Sequence, residues 1–327
     1  MKFPPIYSLT PQINSLLYEI DVLKAAYSLH PVPTEREILL RRKTLLKSSL
    51  YSARIEGNNL NTDDLDNLDL TSEDREKTEI ANLVSAYEKL PGLTVGALSE
   101  DTITLLHRIV LTGISPDAGH LRTDESAIYN QSGTAAYLTP APRTIPFYLT
   151  GLYDYVNRST DPIPVVTGTA HIWIEKIHPF SDGNGRVGRL LSALILMKGG
   201  YDFGGLVPLE EYLDAHRDAY YFKLGRDRQD VTEFIGFFLN ALLEQARISL
   251  KLAREPEKAD PYAHLLPRRG EIMRIIRDHR MVSFDFLSRR FRAVPQRTLH
   301  YDLAQLVKSG LIRKMGSTRG VQYGVAE

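Results

Sequence analysis

HPFSDGNGRVGR, residues 178–189, sets one imidazole, one carboxylate, three glycines and two guanidiniums within twelve positions. An anion is stabilised at a helix N-terminus, where unpaired N–H groups and the helix dipole favour negative charge. Gly183 and Gly185 let backbone approach a ligand with no Cβ in the way. Asn184 adds an amide donor. Arg186 and Arg189 stand at i and i+3, on adjacent turns of one helical face. Their planar forks suit a run of phosphates better than lysine would. Asp182 offers the oxygen ligand needed by a Mg²⁺ that already holds phosphate oxygens. His178, ahead of the anion hole, can take a proton from an attacking hydroxyl. Together these residues make a site for transferring a phosphate-containing group to an alcohol.

Three other readings compete. GNGRVG fits the dinucleotide-binding GxGxxG, but HPFSD is no buried strand and its surroundings read as helical. His171, Glu175 and His178 could form a metal site, although their spacing is not HExxH and His171 suits a packed helix histidine. The glycines could also mark a simple turn beside solvated arginines.

Outward from this stretch the periodicity is helical. Val165–Ile177 leads in, and Leu190, Leu191, Leu194 and Ile195 form an apolar stripe that ends at Gly199-Gly200. Upstream, helices are expected over Asn14–Leu29, from Thr34 to a stop at Gly57-Asn58-Asn59, and over Glu73–Lys89, Ser99–Leu111 and Phe147–Asn157. Thr34 and Glu37 read as a capping box. Residues 119–146 break the pattern with a hairpin around Asn-Gln-Ser-Gly and then three prolines. Downstream, Leu209–Leu224 and Val231–Arg254 read as single helices. A charged, proline-containing linker follows.

The 327-residue chain has no cysteine and no apolar run of membrane-spanning length, and 43% of its residues are hydrophobic. No leader is visible, so a cytoplasmic, membrane-free protein is expected. The formal net charge of zero hides an asymmetry: from Arg268 onward 13 Lys+Arg stand against 5 Asp+Glu, and the rest of the chain carries 27 against 35. A basic tail on an acidic body suggests separate partners for the two parts.

HPFSDGNGRVGR resembles, at every defined position, the signature of the Fic family, HxFx(D/E)GNGRxxR. GHLR at 119–122, HIWIEKI before the signature and AYYFKL after it agree, and the resemblance covers roughly residues 35–250. It implies a mainly α fold, a Fic helical core with a small β-hairpin flap, and transfer of AMP from ATP to a protein hydroxyl. By resemblance His178 is the base, Phe180 packs inward, and Asp182 holds Mg²⁺ (or Mn²⁺). Gly183, Asn184, Gly185 and Gly188 line the ATP site, and Arg186 and Arg189 hold its phosphates. Tyr220 sits near the nucleoside, and Asp227 and Arg228 stand where some relatives carry an asparagine. Thr134, Ala135, Ala136 and Tyr137 resemble the flap that aligns a target by strand addition. Doc-type relatives, which phosphorylate, carry lysine at the position of Gly185, so the glycine points to nucleotidyl transfer.

SARIEGNN, residues 52–59, resembles the family's inhibitory motif through Ser52, Glu56 and Gly57. It implies that Glu56 pairs with Arg189 and denies it to the γ-phosphate. In some relatives the same glutamate aligns a water that removes AMP, so a de-AMPylating hydrolase is an alternative reading. The tail resembles a winged helix-turn-helix, with Arg297, Thr298, His300 and Tyr301 facing a DNA groove and Arg319 in the wing. A second alternative follows from it: a DNA-binding regulator whose core senses ATP. The expected domains are 1–34, a lead-in and helix; 35–254, the core, with its inhibitory helix at 35–57; 255–270, a linker; and 271–327, the winged helix. The expected partners are ATP, a hydroxyl-bearing protein, duplex DNA and a second copy of the chain.

Overall fold

The structure, a computed structural model, describes residues 4–29, 34–67, 74–129, 135–225, 229–254, 262, 264–292, 294–316 and 321–326. The chain divides into two compact units, Met1–Arg254 and Glu255–Glu327.

The first unit is helical apart from one hairpin. It opens with α1 (Pro11–Leu29) and α2 (Thr34–Ile55), then α3 (Arg75–Leu93) and α4 (Glu100–Leu111). The hairpin strands β1 (Ala127–Tyr129) and β2 (Ala135–Leu138) follow, then α5 (Ile145–Arg158), α6 (Ile163–Ile177) and α7 (Asn184–Lys198). Two short helices, α8 (Leu209–Ala215) and α9 (Arg217–Gly225), precede the long α10 (Thr232–Arg254).

α1 begins three residues earlier than the apolar pattern indicates, because Thr10 Oγ1 accepts the Ile13 N–H at 3.2 Å and Pro11 needs no amide partner. α2 stops as expected: Gly57 takes φ +103° and the Asn58 N–H returns to the Ala53 carbonyl at 3.2 Å. Of the expected capping box, the Thr34 side chain lies outside the described residues, and Glu37 has other partners. Its carboxylate accepts from Arg41 at 2.6 Å and from the Tyr27 hydroxyl at 3.3 Å. The single helix expected over Leu209–Leu224 is broken at His216, the C-cap of α8, whose φ of −117° and ψ of +34° are not helical. The lead-in is tied down too, through a parallel bridge between Ile6 and Asp230.

Three apolar clusters share this unit. One joins α1, α9 and α10; a second surrounds α5 and α6; a third joins α2, α3 and α4. Side chains of α7 reach all three through Leu196, Leu191 and Leu190. α6 is buried from Pro164 to Ile177, so it is enclosed on every face where a surface helix would keep one face in water. The loop 178–183 therefore links the two most enclosed helices of the unit.

The second unit contains α11 (Pro267–His279), β3 (Met281–Ser283), α12 (Phe284–Arg290), α13 (Gln296–Lys308), β4 (Ile312–Met315) and β5 (Gln322–Val325). α11 starts earlier than Glu271, since Pro267 occupies its first turn. Ser283 caps α12, accepting the Phe286 N–H at 3.1 Å. The strands form one antiparallel sheet in the order β3-β5-β4.

Candidate active site

The signature loop is closed by its own side chains. Asn184, at the start of α7, donates its amide to the Phe180 carbonyl at 2.8 Å and accepts the Phe180 N–H at 2.9 Å. This corrects the expectation that its amide serves the anion hole. Both ends of the side chain latch the loop, and Asn184 is 2% exposed. Gly183 turns the chain into α7 at φ +79°. Phe180 is fully buried, as expected, and stacks on the His107 ring with centroids 3.7 Å apart.

His107 was not legible as a site residue. The Gly119 N–H donates to its Nδ1 at 2.9 Å, so Nε2 carries the proton and donates to the Asp182 carbonyl at 3.0 Å. Burial pushes its pKa down to about 4, which keeps this tautomer neutral. Arg122, the arginine of GHLR, is a second hidden support. It is 5% exposed and donates to the carbonyls of His178, Asp124 and Pro140 and to Thr139 Oγ1, at 2.6–3.0 Å. One guanidinium thus joins the base of the hairpin to the backbone of His178.

His178 itself ends α6 in the left-handed region, φ +49° and ψ +60°. Its Nδ1 lies 3.3 Å from the Glu175 carbonyl. A carbonyl only accepts, so Nδ1 carries the proton and Nε2 keeps a bare lone pair. Burial lowers the His178 pKa, and the nearby Arg122 cation adds to the effect.

Asp182 Oδ1 accepts the Gly183 N–H at 2.6 Å and Arg186 Nη2 at 2.7 Å. Burial opposes ionisation, but Arg186, the Gly183 N–H and Arg75 together outweigh it and hold the carboxyl below its ordinary range. Among the described residues nothing bonds to Oδ2, and the side chain is 53% exposed. A hard oxygen open to solvent beside an anion-binding helix end fits a Mg²⁺ completed by substrate phosphates. No group of three or more His, Asp or Glu that could hold a metal occurs among the described residues.

The two arginines are both engaged. Arg186 also pairs through Nη1 with Glu79 of α3, another residue that sequence reasoning missed. Arg189 is 1% exposed. Its Nε donates to Ser52 Oγ and its Nη2 to the Ser52 carbonyl, both at 2.9 Å, and Nη2 also meets Glu56 Oε1 at 2.8 Å. Burial would lower the pKa of Arg189, but Glu56, Tyr220 and Glu175 together raise it. Ser52, Glu56 and Arg189 are thus brought together from positions 137 and 133 residues apart. Glu56 Oε1 lies so close to Gly185 that a Cβ there would sit 2.2 Å from it.

Other expected residues stand elsewhere. Tyr220 is 1% exposed, and its hydroxyl lies 2.8 Å from His171 Nε2. Ser192 donates to Gly188 and therefore accepts from His171 Nδ1 at 2.9 Å, so His171 accepts from Tyr220. Tyr220 is a core residue with no hydroxyl left for a nucleoside, and His171 is no metal ligand. Tyr221, one helical step round, is 42% exposed and donates to the Ile55 carbonyl at 2.9 Å. Gly188 is buried against Ile174 and Glu175 of α6, away from any ligand.

In the hairpin, Tyr137 pairs with Ile128. It is 6% exposed and lies under the Lys176 ammonium, 4.2 Å from the ring centroid, so it anchors the strand where a target-facing residue was expected. Thr134, Asp227, Arg228 and Arg319 lie outside the described residues, as do the side chains of Ala135 and Ala136. In the second unit Arg297 is exposed, while Thr298 is half-buried. His300 stacks on Phe284 at 3.8 Å, and Tyr301, 59% exposed, neighbours Arg269.

Residues 97–196 match the model of the Fic/DOC family. Over 180 residues the chain is 26% identical to a Caenorhabditis elegans protein named protein adenylyltransferase fic-1, covering 54% of this chain and 34% of that one. An Aedes aegypti protein adenylyltransferase Fic is 30% identical over 172 residues, 50% of this chain and 32% of its own length. A probable protein adenylyltransferase of Aquifex aeolicus is 29% identical over 123 residues, 37% of either chain. The chain thus spans about a third of the length of these curated relatives. The crystal structure of a Fic family protein from Desulfovibrio desulfuricans G20 has the same fold, with a TM-score of 0.69 at 22% identity over 99% of this chain and 98% of that one. A Fic-domain signalling protein of Bacteroides thetaiotaomicron matches with a TM-score of 0.56 at 19% identity, over 75% of this chain and 98% of its own.

Proposed function

We propose that this chain, whose residues 97–196 match the Fic/DOC family model, transfers AMP from ATP to a hydroxyl side chain of a protein, itself included, under restraint by Glu56. The attacking oxygen bonds to the α-phosphorus, its proton passes to His178 Nε2, and pyrophosphate leaves. The proton on His178 Nδ1, directed at the Glu175 carbonyl, supports this role because it leaves Nε2 free to accept. The lowered pKa keeps the imidazole unprotonated at neutral pH.

The free N–H groups at the start of α7 face the developing phosphate charge. Asp182 would hold a Mg²⁺ whose bound form neutralises phosphate oxygens. Asn184, His107 and Arg122 keep the loop in shape without touching the nucleotide. A backbone edge of the hairpin would align the target by strand addition.

The observation that carries the restraint is the Arg189 fork spent on Ser52 and Glu56. Among the described residues only Nη1 lacks a partner, and it is buried, so a γ-phosphate would have to displace Glu56 to reach the fork. The test is incubation with labelled ATP and Mg²⁺. The Glu56→Gly chain should label itself and lysate proteins more than the parent does, and His178→Ala should label nothing. Equal labelling of parent and His178→Ala chains would overturn the assignment.

We read the second unit as a winged helix that binds duplex DNA. The excess of 13 Lys+Arg over 5 Asp+Glu from Arg268 onward supports this, with Arg297 exposed on α13 and without an ion pair among the described residues.

A further inference from the structure

α2, α3, α7 and the segment entering α8 enclose a cavity of about 800 Å³, beside the C-terminal half of α7. Its walls are largely apolar, with Leu45 and Leu46 from α2, Val84 and Leu90 from α3, and Leu196 and Met197 from α7. Arg41, Arg42 and Glu88 stand exposed at its rim, and one charged wall residue is buried. Glu210, in the first turn of α8, lines the cavity yet is only 3% exposed. The Tyr87 hydroxyl donates to its Oε1. Among the described residues no lysine, arginine or histidine lies within ion-pair reach of it, whereas its neighbour Glu211 pairs with Lys47 at 2.9 Å.

Burial pushes the Glu210 carboxyl above the ordinary carboxylate range. The start of α8, the hydroxyls of Tyr87 and Ser48 and the more distant Arg189 offset only part of the cost of taking a carboxylate out of water without a cation beside it. A largely apolar chamber of this size with a few polar groups, one of them a buried carboxyl, is the ordinary form of a small-molecule site. The missing partner of Glu210 fixes the chemistry of the molecule.

We propose that this cavity binds an apolar small molecule bearing one protonated amine, which pairs with Glu210 while the apolar body fills the space between α2, α3 and α7. A carboxylate-bearing ligand is disfavoured by the same residue. The site has a second consequence. α2 lines the cavity from Ile38 to Ser48, and its next turns carry Ser52 and Glu56. An occupant therefore presses on the helix that holds Arg189. This consequence rests on Glu56 restraining transfer, but the binding itself does not.

The test measures binding alone, on the full chain without ATP, so that its failure is separate from failure of the transferase reading. The probe is dansylcadaverine, an aromatic body with one primary amine, followed by its fluorescence. The control is N-acetyl-dansylcadaverine, which keeps the body and loses the cation. Saturable binding of one probe per chain is expected, with the acetylated form weaker by about tenfold or more, the worth of a charge-assisted hydrogen bond. Glu210→Gln should abolish the difference between the two probes. Ala193→Phe, which fills the cavity from α7, should abolish binding of both. No saturable binding, equal affinity of the two probes for the parent chain, or a preference for the amine that survives Glu210→Gln would overturn the proposal.

Discussion

His178, Glu56 and Gly185 each act through a single atom or its lack, and each predicts differently. With Nδ1 protonated toward Glu175 and the pKa lowered, His178 should remain a base as the medium is acidified. The acid limb of kcat/KM for transfer is then expected below 6.5, the ordinary imidazole value. His178→Ala should lower kcat by about 10²-fold or more while ATP affinity stays the same, as isothermal titration would show. Glu56→Gly should raise transfer by about tenfold or more, the worth of one charge-assisted bond to a buried guanidinium, and adding Arg189→Ala should erase the gain. The space at Gly185 gives a sharper expectation. A methyl group there would crowd Glu56 Oε1 and also the space through which backbone approaches the ligand. Gly185→Ala should therefore loosen the Glu56–Arg189 pair in the parent and lower transfer in the Glu56→Gly chain, where only the obstruction is left, a difference that a double-mutant cycle of initial rates would reveal.

At the scale of elements, the junction of the hairpin, α6 and the signature loop depends on Arg122. Its replacement by leucine strands four oxygens, three carbonyls and the Thr139 hydroxyl. The expected cost is about 3 kcal/mol or more. That corresponds to a loss of roughly 6–12 °C in the first thermal transition, readable by calorimetry. Much of this level was legible in the sequence. The helices around 178–189 follow from period, and Ser52, Glu56 and Arg189 meet as the motif resemblance implied. Arg122, His107 and Glu79 were not legible in their roles, because each acts on backbone or side chains 56 to 107 residues away. No local period encodes such a contact. Tyr220 failed for a different reason. A break at His216 sets the phase of α9, and phase decides which of two adjacent tyrosines faces the core. Asn184 and Gly188 belong to the motif, yet geometry assigns them to closing the loop and to helix contact.

At the scale of the molecule, the two units carry opposite charge excesses, and the basic one contains Arg297 on α13. The full chain is expected to bind duplex DNA with log K falling linearly in log salt. Arg297→Ala should weaken binding and flatten that slope if the arginine meets a phosphate. Retention unaffected by salt in a filter-binding assay would count against the DNA reading. The restraint on Arg189 has a different molecular consequence. Its carboxylate is encoded 133 residues ahead of the guanidinium it holds. During synthesis the amino-terminal part emerges first, so Glu56 has left the ribosome before Arg189 is made. The arginine meets its restraint as α7 folds onto α2. Under the proposed restraint each new chain would start its life switched off, with no need of a second molecule to silence it.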